Sequence, residues 1–322
     1  MVINELFFFF PLSLSSLLTS AQVLLFKLMP LKLISRIWGW INSVPLPAPI
    51  RVRIISWYSH CFECNLLEAG KQDLREYANL GDFFKRELRP GSRPIESGDI
   101  VSPADGTLVH FGRVDREHVE QVKGVKYSLP AFLGPQSWNK ERNGGMRQDQ
   151  EYHQRLLSRP GNVLYHCVIY LAPGDYHRFH SPAEWTVRFR RHFSGKLISI
   201  RPTFMSWIED LFTINERVAY IGKWAYGFFS MTAVGATNVG SVRVYFDEKL
   251  KTNQFLSFPG SFKDQKLNQV SKSKGDAFGE FNLGSTIVLI FEAPGDFECN
   301  ARAGQKIRYG QKLFSSHRET KG

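Results

Sequence analysis

The chain has 322 residues, of which 43% are hydrophobic and 22% charged, a composition that excludes an intrinsically disordered chain and suits one large core with an extension. Its formal net charge of +11 favours an anionic partner, either nucleic acid or a membrane surface. Since no RNA-recognition, zinc-finger or basic-zipper pattern occurs, we expect an anionic membrane surface and no nucleic acid.

The N-terminal region has the composition of a membrane segment. Residues 6–26 contain no charged side chain, and about 20 helical residues are enough to cross a bilayer core. We therefore predict a segment that either spans the membrane or lies at its interface. A cleaved signal peptide is the alternative, although no cluster of Lys or Arg precedes the apolar run.

A basic stretch follows this apolar run. Its Lys and Arg side chains are Lys27, Lys32, Arg36, Arg51 and Arg53. The pattern predicts an amphipathic segment on the membrane surface, with Trp38, Trp40 and Trp57 as interfacial anchors. The alternative is that these tryptophans pack against the rest of the chain. We divide the chain accordingly into a membrane-anchoring segment, 1–65, and a globular domain, 66–322.

The cysteines do not form an obvious site. Four cysteines in a chain of this length make a disulfide framework unlikely. Cys61 and Cys64 form a C-x-x-C pair, which redox and metal sites also use, but Cys167 and Cys299 are isolated and supply no second half of a metal site. We expect ordinary thiols, with a redox role as the alternative.

The remaining chain is predicted to be mainly β. Residues 72–88 have apolar residues at helical spacing, which predicts one or two short helices with a break at Gly81. From residue 98 onward we predict strands at 107–114, 163–172, 185–193, 217–222, 228–235, 241–247 and 285–292. Residues 135–160 and 250–280 are predicted to be long loops. The apolar run at 129–134 either enters the membrane interface or belongs to the core.

Two short segments carry candidate catalytic residues. Ser102-Pro-Ala-Asp-Gly106 has the composition of a turn. Further along, Asp175-Tyr-His-Arg-Phe-His-Ser-Pro182 places His177 and His180 three residues apart after a predicted strand, where catalytic groups are often displayed. A structural histidine pair and half a metal site are the alternatives. No third ligand has a matching spacing, so we expect no metal.

The Gly284-Ser285 bond directly precedes a predicted buried strand. Cleavage there would make Ser285 an N-terminal residue, and a serine freed in this way can be converted to a pyruvoyl group. That electrophilic ketone is absent from the twenty amino acids, and an enzyme that decarboxylates an amino acid needs one. Asn238-Val-Gly-Ser241, by contrast, lies between two predicted strands and has the composition of a hairpin turn.

Taken together and in this order, the Pro-Ala-Asp-Gly turn, the Asp-Tyr-His-x-x-His-Ser-Pro segment and the Leu-Gly-Ser-Thr site strongly resemble the phosphatidylserine decarboxylase family. The resemblance covers roughly residues 70–315. Segments 165–177 and 232–241 resemble the mitochondrial branch in particular. The resemblance implies an α+β fold with a mainly antiparallel β core, N-terminal helices and the N-terminal membrane segment, and it makes 66–322 the catalytic domain.

The resemblance also implies roles for individual residues. Asp105, His180 and Ser285 match the family's self-processing triad. Cleavage between Gly284 and Ser285 would leave a β chain, 1–284, and an α chain, 285–322, which together form the enzyme. Ser285 would become the covalent pyruvoyl cofactor, to which phosphatidylserine binds as a Schiff base before it loses CO₂ and becomes phosphatidylethanolamine. His177 matches the proton donor of that step, and a pKa near neutrality would suit it.

Two rival functions use the same residues. A Ser-His-Asp lipid hydrolase would show Gly-x-Ser-x-Gly at a strand-to-helix turn, whereas Ser285 precedes a strand. An inactive membrane-associated homologue would not need all three triad positions to be filled, as they are here.

The compartment is expected from the resemblance to be the mitochondrial inner membrane, on its intermembrane-space side. However, the basic residues follow the apolar run instead of preceding it. By the positive-inside rule this favours an alternative on the endoplasmic reticulum or lipid droplets, facing the cytoplasm.

Overall fold

A computed structural model describes residues 29–114, 118–122, 125–139, 151–201, 205, 208–237, 241–254, 258–282 and 285–316. The membrane segment predicted at 6–26 lies outside these residues. Within the described ranges, no helix has both the length and the apolar character needed to cross a bilayer.

Short helices lie mainly on the N-terminal side of the chain. They are α1 Leu31–Ser43, α2 Ala48–Cys61, α3 Leu80–Phe84, α4 Leu129–Leu133 and α5 Leu211–Ile214. Single 3₁₀ turns occur at Leu66–Glu68, Leu74–Glu76 and Ser137–Asn139.

The strands lie from residue 100 onward. They are β1 Ile100–Val101, β2 Gly106–Arg113, β3 His118–Val122, β4 Val125–Ser128, β5 Asn162–Leu171, β6 Arg178–His180, β7 Trp185–Phe193, β8 Arg217–Trp224, β9 Gly227–Val234, β10 Val242–Val244, β11 Phe262–Lys272, β12 Ala277–Phe281, β13 Ser285–Pro294, β14 Glu298–Cys299, β15 Lys306–Ile307 and β16 Lys312–Ser315.

One large antiparallel sheet organises the molecule, in the order β11-β7-β8-β9-β13-β5-β2-β15. Smaller sheets have the orders β10-β12-β6, β1-β16-β14 and β3-β4, and their pairs are also antiparallel. The expected α+β architecture with a mainly antiparallel core and helices on the N-terminal side is confirmed.

Strand β13 lies inside the large sheet and is buried on both faces. It pairs with β5 on one side and β9 on the other. Its side chains alternate between two hydrophobic cores, as the pleat of a strand requires. Ile287, Leu289 and Phe291 enter one core, and Val288 and Ile290 enter the other. This explains the continuous apolar run after the Gly-Ser bond, since a strand covered on both faces has no polar side.

The N-terminal helices pack on the catalytic domain. In α2, Ile55 and Tyr58 join Phe83 and Phe84 of α3 in a small hydrophobic cluster. The Tyr58 hydroxyl donates to the carbonyl of Pro173, in the loop after β5, at 2.7 Å. Residues before the predicted boundary at residue 65 therefore pack against residues after it. The separate membrane role of 1–65 stays a prediction.

Six predicted strands are confirmed to within two residues of their ends: β2, β5, β7, β8, β9 and β13. Three other predictions are corrected. The predicted strand at 241–247 is limited to β10. The prediction of one or two short helices in 72–88 is confirmed by a 3₁₀ turn and α3, but the break expected at Gly81 is wrong. Gly81 lies inside α3, which Asn79 caps by accepting the Asp82 N–H at 2.8 Å.

The predicted loop at 250–280 is wrong, since it contains β11 and β12. Most side chains of β11 are exposed, because it forms the edge of the large sheet, and such a strand lacks the apolar alternation that predicts strands. The run at 129–134 belongs to the core: Leu129, Phe132 and Leu133 of α4 have no exposed surface.

Candidate active site

Asp105 is held by groups from both ends of the chain. Arg93 donates to its carboxylate through Nε at 3.1 Å and Nη2 at 2.6 Å, and the backbone N–H of Tyr309 donates to Oδ1 at 2.8 Å. Nη2 of Arg93 also donates to Glu68 at 2.6 Å. Burial alone would lower the pKa of Arg93, but its hydrogen bonds to Asp105 and Glu68 raise it above the ordinary value. Asp105 thus belongs to a paired, partly buried charge cluster.

Gly106 lets the Asp105 turn pack closely on the large sheet. A Cβ at this position would lie 2.4 Å from the carbonyl oxygen of Tyr170 in β5, and real Cβ atoms do not approach backbone oxygen so closely. The position after Asp105 in the sequence motif is therefore glycine for a steric reason. The turn composition of the motif alone did not indicate this.

His180 ends β6 directly beside this turn. Its backbone N–H donates to the carbonyl of Pro103 at 2.8 Å, so the two sequence motifs are joined by a hydrogen bond. In the ring, Nδ1 lies 3.1 Å from the carbonyl oxygen of Gly275, and Nε2 lies 3.1 Å from the Tyr176 hydroxyl. Because a carbonyl oxygen can only accept, Nδ1 carries the proton in the neutral ring and Nε2 is the acceptor.

The His180 ring is neutral at pH 7. Burial lowers its pKa to about 4; the positive charge of Arg178 acts in the same direction, while the Gly275 carbonyl and the carboxylate of Asp105 oppose the shift. The Tyr309 ring stacks on it with centroids 3.7 Å apart. A neutral imidazole with an unprotonated Nε2 is the form that a general base requires.

Asp105 and His180 are close but are not hydrogen-bonded to each other within the described part of the chain. The Gly275 carbonyl, and not Asp105, accepts from Nδ1 and so fixes the tautomer of the ring. Asp105 acts on the ring through its charge. Its place in the processing triad stays a prediction.

His177 is fully buried, with its ring stacked on Phe84 at a centroid distance of 3.9 Å. Neither ring nitrogen has a hydrogen-bond partner among the described residues. Burial lowers its pKa to about 3; the positive charge of Arg86 acts in the same direction, while the nearby backbone of Ala172 and Pro173 opposes the shift. The expectation of a near-neutral pKa is therefore not met. Two unpaired nitrogens in a buried ring are uncommon, and they offer donor and acceptor capacity to a bound molecule.

Ser285 begins β13, and its backbone pairs with Leu171 at the end of β5. The loop that carries His177 and His180 starts at the next residue, so strand pairing brings the two segments to the same end of the sheet. Gly284 lies outside the described residues. On the other side of the bond, the N–H of Asn282 donates to the carbonyl of Ser241 at 3.0 Å, and its side-chain amide donates to the Ser241 hydroxyl.

Sequence reasoning missed three residues that shape this site. Arg93 and Tyr309 carry no motif that could have identified them, since their contacts with Asp105 and His180 depend on the fold. Tyr176 lies inside the recognised segment, and its position next to His177 was the available indication. Among the residues that the structure describes, no group of three or more His, Cys, Asp or Glu side chains is arranged to hold a metal ion.

The C-x-x-C pair lies at the end of α2, and both thiols are free. Burial raises the pKa of the Cys64 thiol above its ordinary value. Since the thiolate is the reactive form, this shift favours the interpretation as an ordinary thiol.

Comparison with known proteins identifies the family. The profile of the family Phosphatidylserine decarboxylase matches residues 80–315. A phosphatidylserine decarboxylase proenzyme, mitochondrial, from Cricetulus griseus is 49% identical over 302 residues, which cover 91% of this chain and 74% of the relative. The proenzyme 1, mitochondrial, from Saccharomyces cerevisiae is 37% identical, with 89% and 73% covered. The chain belongs to the phosphatidylserine decarboxylase family, and the resemblance to its mitochondrial branch is confirmed.

The buried histidines predict acid sensitivity. The pKa values of His177 and His180 are about 3 and 4, below the unfolded value of about 6.5. Folding therefore disfavours proton binding, so their contribution to stability is fully present above pH 6.5 and is lost as the pH falls toward 4. At pH 5 the contribution of each histidine to the free energy of unfolding should be smaller by on the order of 2 kcal/mol than at neutral pH. The loss is measurable as a lower urea midpoint at pH 5 than at pH 7.5.

A pair of variants checks the source of this effect. His177→Gln removes one buried titrating group and should make the fall in stability between pH 7.5 and pH 5 shallower. The same change at His60, which is exposed, should leave the dependence as it is in the wild type. Equal pH profiles for the His177 variant and the wild type would contradict the assignment.

Proposed function

We propose that this chain decarboxylates phosphatidylserine to phosphatidylethanolamine and CO₂, using a pyruvoyl group made from its own Ser285. The observation that carries the proposal is the meeting of three family motifs at one end of the large sheet: His180 bonds to Pro103 in the Asp105 turn, and Ser285 pairs with Leu171 before the histidine loop. Family membership gives the reaction and its substrate class.

Self-cleavage at Gly284-Ser285 would begin with proton transfer. Neutral His180 would take the Ser285 hydroxyl proton on Nε2, the ring nitrogen that is already a hydrogen-bond acceptor. The serine oxygen would attack the Gly284 carbonyl, and an ester would replace the peptide bond. The charge of Asp105 would stabilise the imidazolium that forms. Elimination would release the β chain, and hydrolysis of the resulting dehydroalanine would give the pyruvoyl group and ammonia.

The two product chains would remain associated. Strand β13 of the α chain pairs with β5 and β9 of the β chain, and β15 pairs with β2 and β16 with β1. Two ion pairs cross the same boundary, Lys306 to Asp175 at 3.1 Å and Arg308 to Glu68 at 3.3 Å. Loss of one peptide bond leaves all of these contacts in place, which supports a heterodimer of the α and β chains.

In turnover the pyruvoyl group supplies an electron-withdrawing carbonyl. The residues of the chain bind and orient the lipid, exclude water and move protons. His177 is the proposed proton donor to the carbon that loses CO₂. Its ring nitrogens are unpaired and its plane is fixed by Phe84. Because burial keeps the ring neutral, it would donate from an N–H group and not as an imidazolium.

A membrane surface is the proposed partner. The helices α1 and α2 expose large apolar side chains, namely Leu33, Ile37, Trp40, Ile41, Ile50 and Trp57. We call this the helical surface. Trp40 has 69% of its surface exposed and Trp57 39%, while Trp38 is partly buried. Neighbouring Arg side chains complement anionic lipids.

The mitochondrial inner membrane, on its intermembrane-space side, is the proposed site of action. The relatives that support it are named as mitochondrial proteins. The endoplasmic reticulum or lipid droplets remain the alternative, with the domain facing the cytoplasm.

The first prediction of the proposal is self-cleavage. Purified without added protease, the wild type should give two chains by intact-mass measurement, with a blocked N-terminus on the fragment 285–322. Ser285→Ala, His180→Ala and Asp105→Ala should each remain mostly full-length. As a control, His118→Ala changes an exposed histidine in β3 and should still cleave. Cleavage of Ser285→Ala at this bond would exclude the mechanism, while an uncleaved wild type with lipase activity would favour the hydrolase.

The second prediction separates the two histidines of the motif. His177→Ala should cleave itself fully but decarboxylate phosphatidylserine roughly 10²–10⁴ times more slowly, the usual contribution of a general acid. The measurement is CO₂ release per mole of pyruvoyl chain, so incomplete processing cannot imitate the loss. Near-normal turnover by a fully processed variant would remove His177 from the reaction.

The third prediction concerns membrane attachment. Deleting residues 1–65 would remove Ile55 and Tyr58 from their cluster, so a form starting near residue 66 should be destabilised, contrary to the expectation of a separable segment.

A form starting at Met29 keeps α1 and α2. In that form Ile37→Ser with Trp40→Ser should weaken co-sedimentation with anionic vesicles, and the remaining binding should fall with salt. Phe258→Ser, an exposed aromatic outside the helical surface, is the control. Undiminished binding of the double variant would contradict the assignment.

A further inference from the structure

A cavity of about 690 Å³ lies between α1, α3 and the chain segments that flank the cleavage site. We call it the α1–α3 cavity. Helix α1 contributes Arg36 and Gly39, and the segment around α3 contributes Phe84 and Lys85. Ser241 and Asn282 form another part of its wall.

The α1–α3 cavity adjoins the candidate active site on two sides. The ring of Phe84 lines it and also stacks on His177 at 3.9 Å. Asn282 lines it three residues before Ser285, and is fixed there by hydrogen bonds to Ser241. The cavity is therefore separated from the proposed proton donor by the Phe84 ring, and it lies beside the segment that leads to the pyruvoyl position.

The lining has the chemistry of a zwitterionic or anionic headgroup site. Arg36 and Lys85 are cations, and Asn42, Asn79, Asn253 and Asn282 add amide groups. Asp82 is the acidic lining residue among the described ones, and its carboxylate already lies 3.6 Å from Lys71 and accepts the Ala78 N–H at 3.0 Å. The amides of Asn42, Asn79 and Asn282 already donate to neighbouring protein groups. The two cations are therefore the groups that suit a phosphate diester, and the guanidinium fork of Arg36 matches phosphate oxygens.

The position of Arg36 on α1 relates the cavity to the membrane. Residues on the same side of a helix recur every three or four positions. Arg36, Gly39 and Ser43 line the cavity, and Leu33, Ile37, Trp40 and Ile41 of the helical surface occupy the adjoining stripe. A lipid with its acyl chains among these exposed side chains could therefore extend its headgroup past Arg36 into the cavity.

We propose that Arg36 and Lys85 bind the diester phosphate of the lipid substrate and so determine specificity for a phosphorylated headgroup over free serine. The inference rests on the proposed function, since it assigns the substrate phosphate to a cavity beside that site. Neither residue moves a proton or contacts the reacting carbon, so their contribution should be to binding.

The test compares Arg36→Gln and Lys85→Gln with Lys266→Gln, which removes an equal charge from exposed β11. The substrate is short-chain phosphatidylserine below its critical micelle concentration, so that membrane attraction does not contribute. All three variants should cleave themselves fully. In the two cavity variants KM should rise at least about tenfold, while kcat changes less than about threefold. The KM of Arg36→Lys should lie between those of Arg36→Gln and the wild type. An unchanged KM, or an equal rise in Lys266→Gln, would overturn the proposal.

A binding measurement keeps this inference distinct from the proposed reaction. Calorimetric titration of the uncleaved Ser285→Ala protein with the same lipid needs no turnover, and Arg36→Gln in that background should bind at least tenfold more weakly. If binding depends on Arg36 but the wild type releases no CO₂, the phosphate site stands and the proposed reaction fails. If the wild type releases CO₂ but replacing Arg36 and Lys85 leaves the lipid affinity unchanged, the proposed phosphate site is wrong.

Discussion

Hydrogen bonding on both edges of β13 is the constraint on which the rest of the molecule depends. The strand lies between β5 and β9, with each face in a separate hydrophobic core. Pairing on both edges begins at Thr286, and Ser285 directly before it pairs with Leu171, where the chain leaves the sheet toward both histidines. A strand at the sheet edge would not fix this position so firmly, because it would be paired on one side alone.

Burial sets the electrostatics around this point more than pairing of opposite charges does. His177 and His180 are both held neutral by loss of solvent, and aromatic rings cover them: Phe84 on the first and Tyr309 on the second. Asp105 is different, since Arg93 and the Tyr309 amide donate hydrogen bonds to its carboxylate. The proposed base is thus neutral and lies near a carboxylate that is fixed by hydrogen bonds, an arrangement that suits proton transfer from a serine.

The sequence was sufficient for the interior strands and for the residues of the motifs, because both depend on local patterns. Val, Ile and Phe in unbroken runs indicated β5, β9 and β13. The same criterion failed at β11, whose edge position leaves Lys and Gln side chains in solvent, and at Gly81, where the cap by Asn79 outweighs the low helix propensity of glycine. Arg93 and Tyr309 could not be predicted, because each reaches Asp105 through contacts between distant parts of the chain.

The position of β13 has a consequence for the lifetime of the cleaved molecule. While the chain is continuous, the last strands are delivered to the sheet by their own covalent connection, and refolding after denaturation is a unimolecular event. Once the bond before Ser285 is broken, β13, β15 and β16 belong to a separate short polypeptide. Reassembly then becomes second order, and it must compete with aggregation of an apolar strand that has two open edges. The durability of the mature protein is therefore governed by how slowly it first unfolds and not by the equilibrium between folded and unfolded forms.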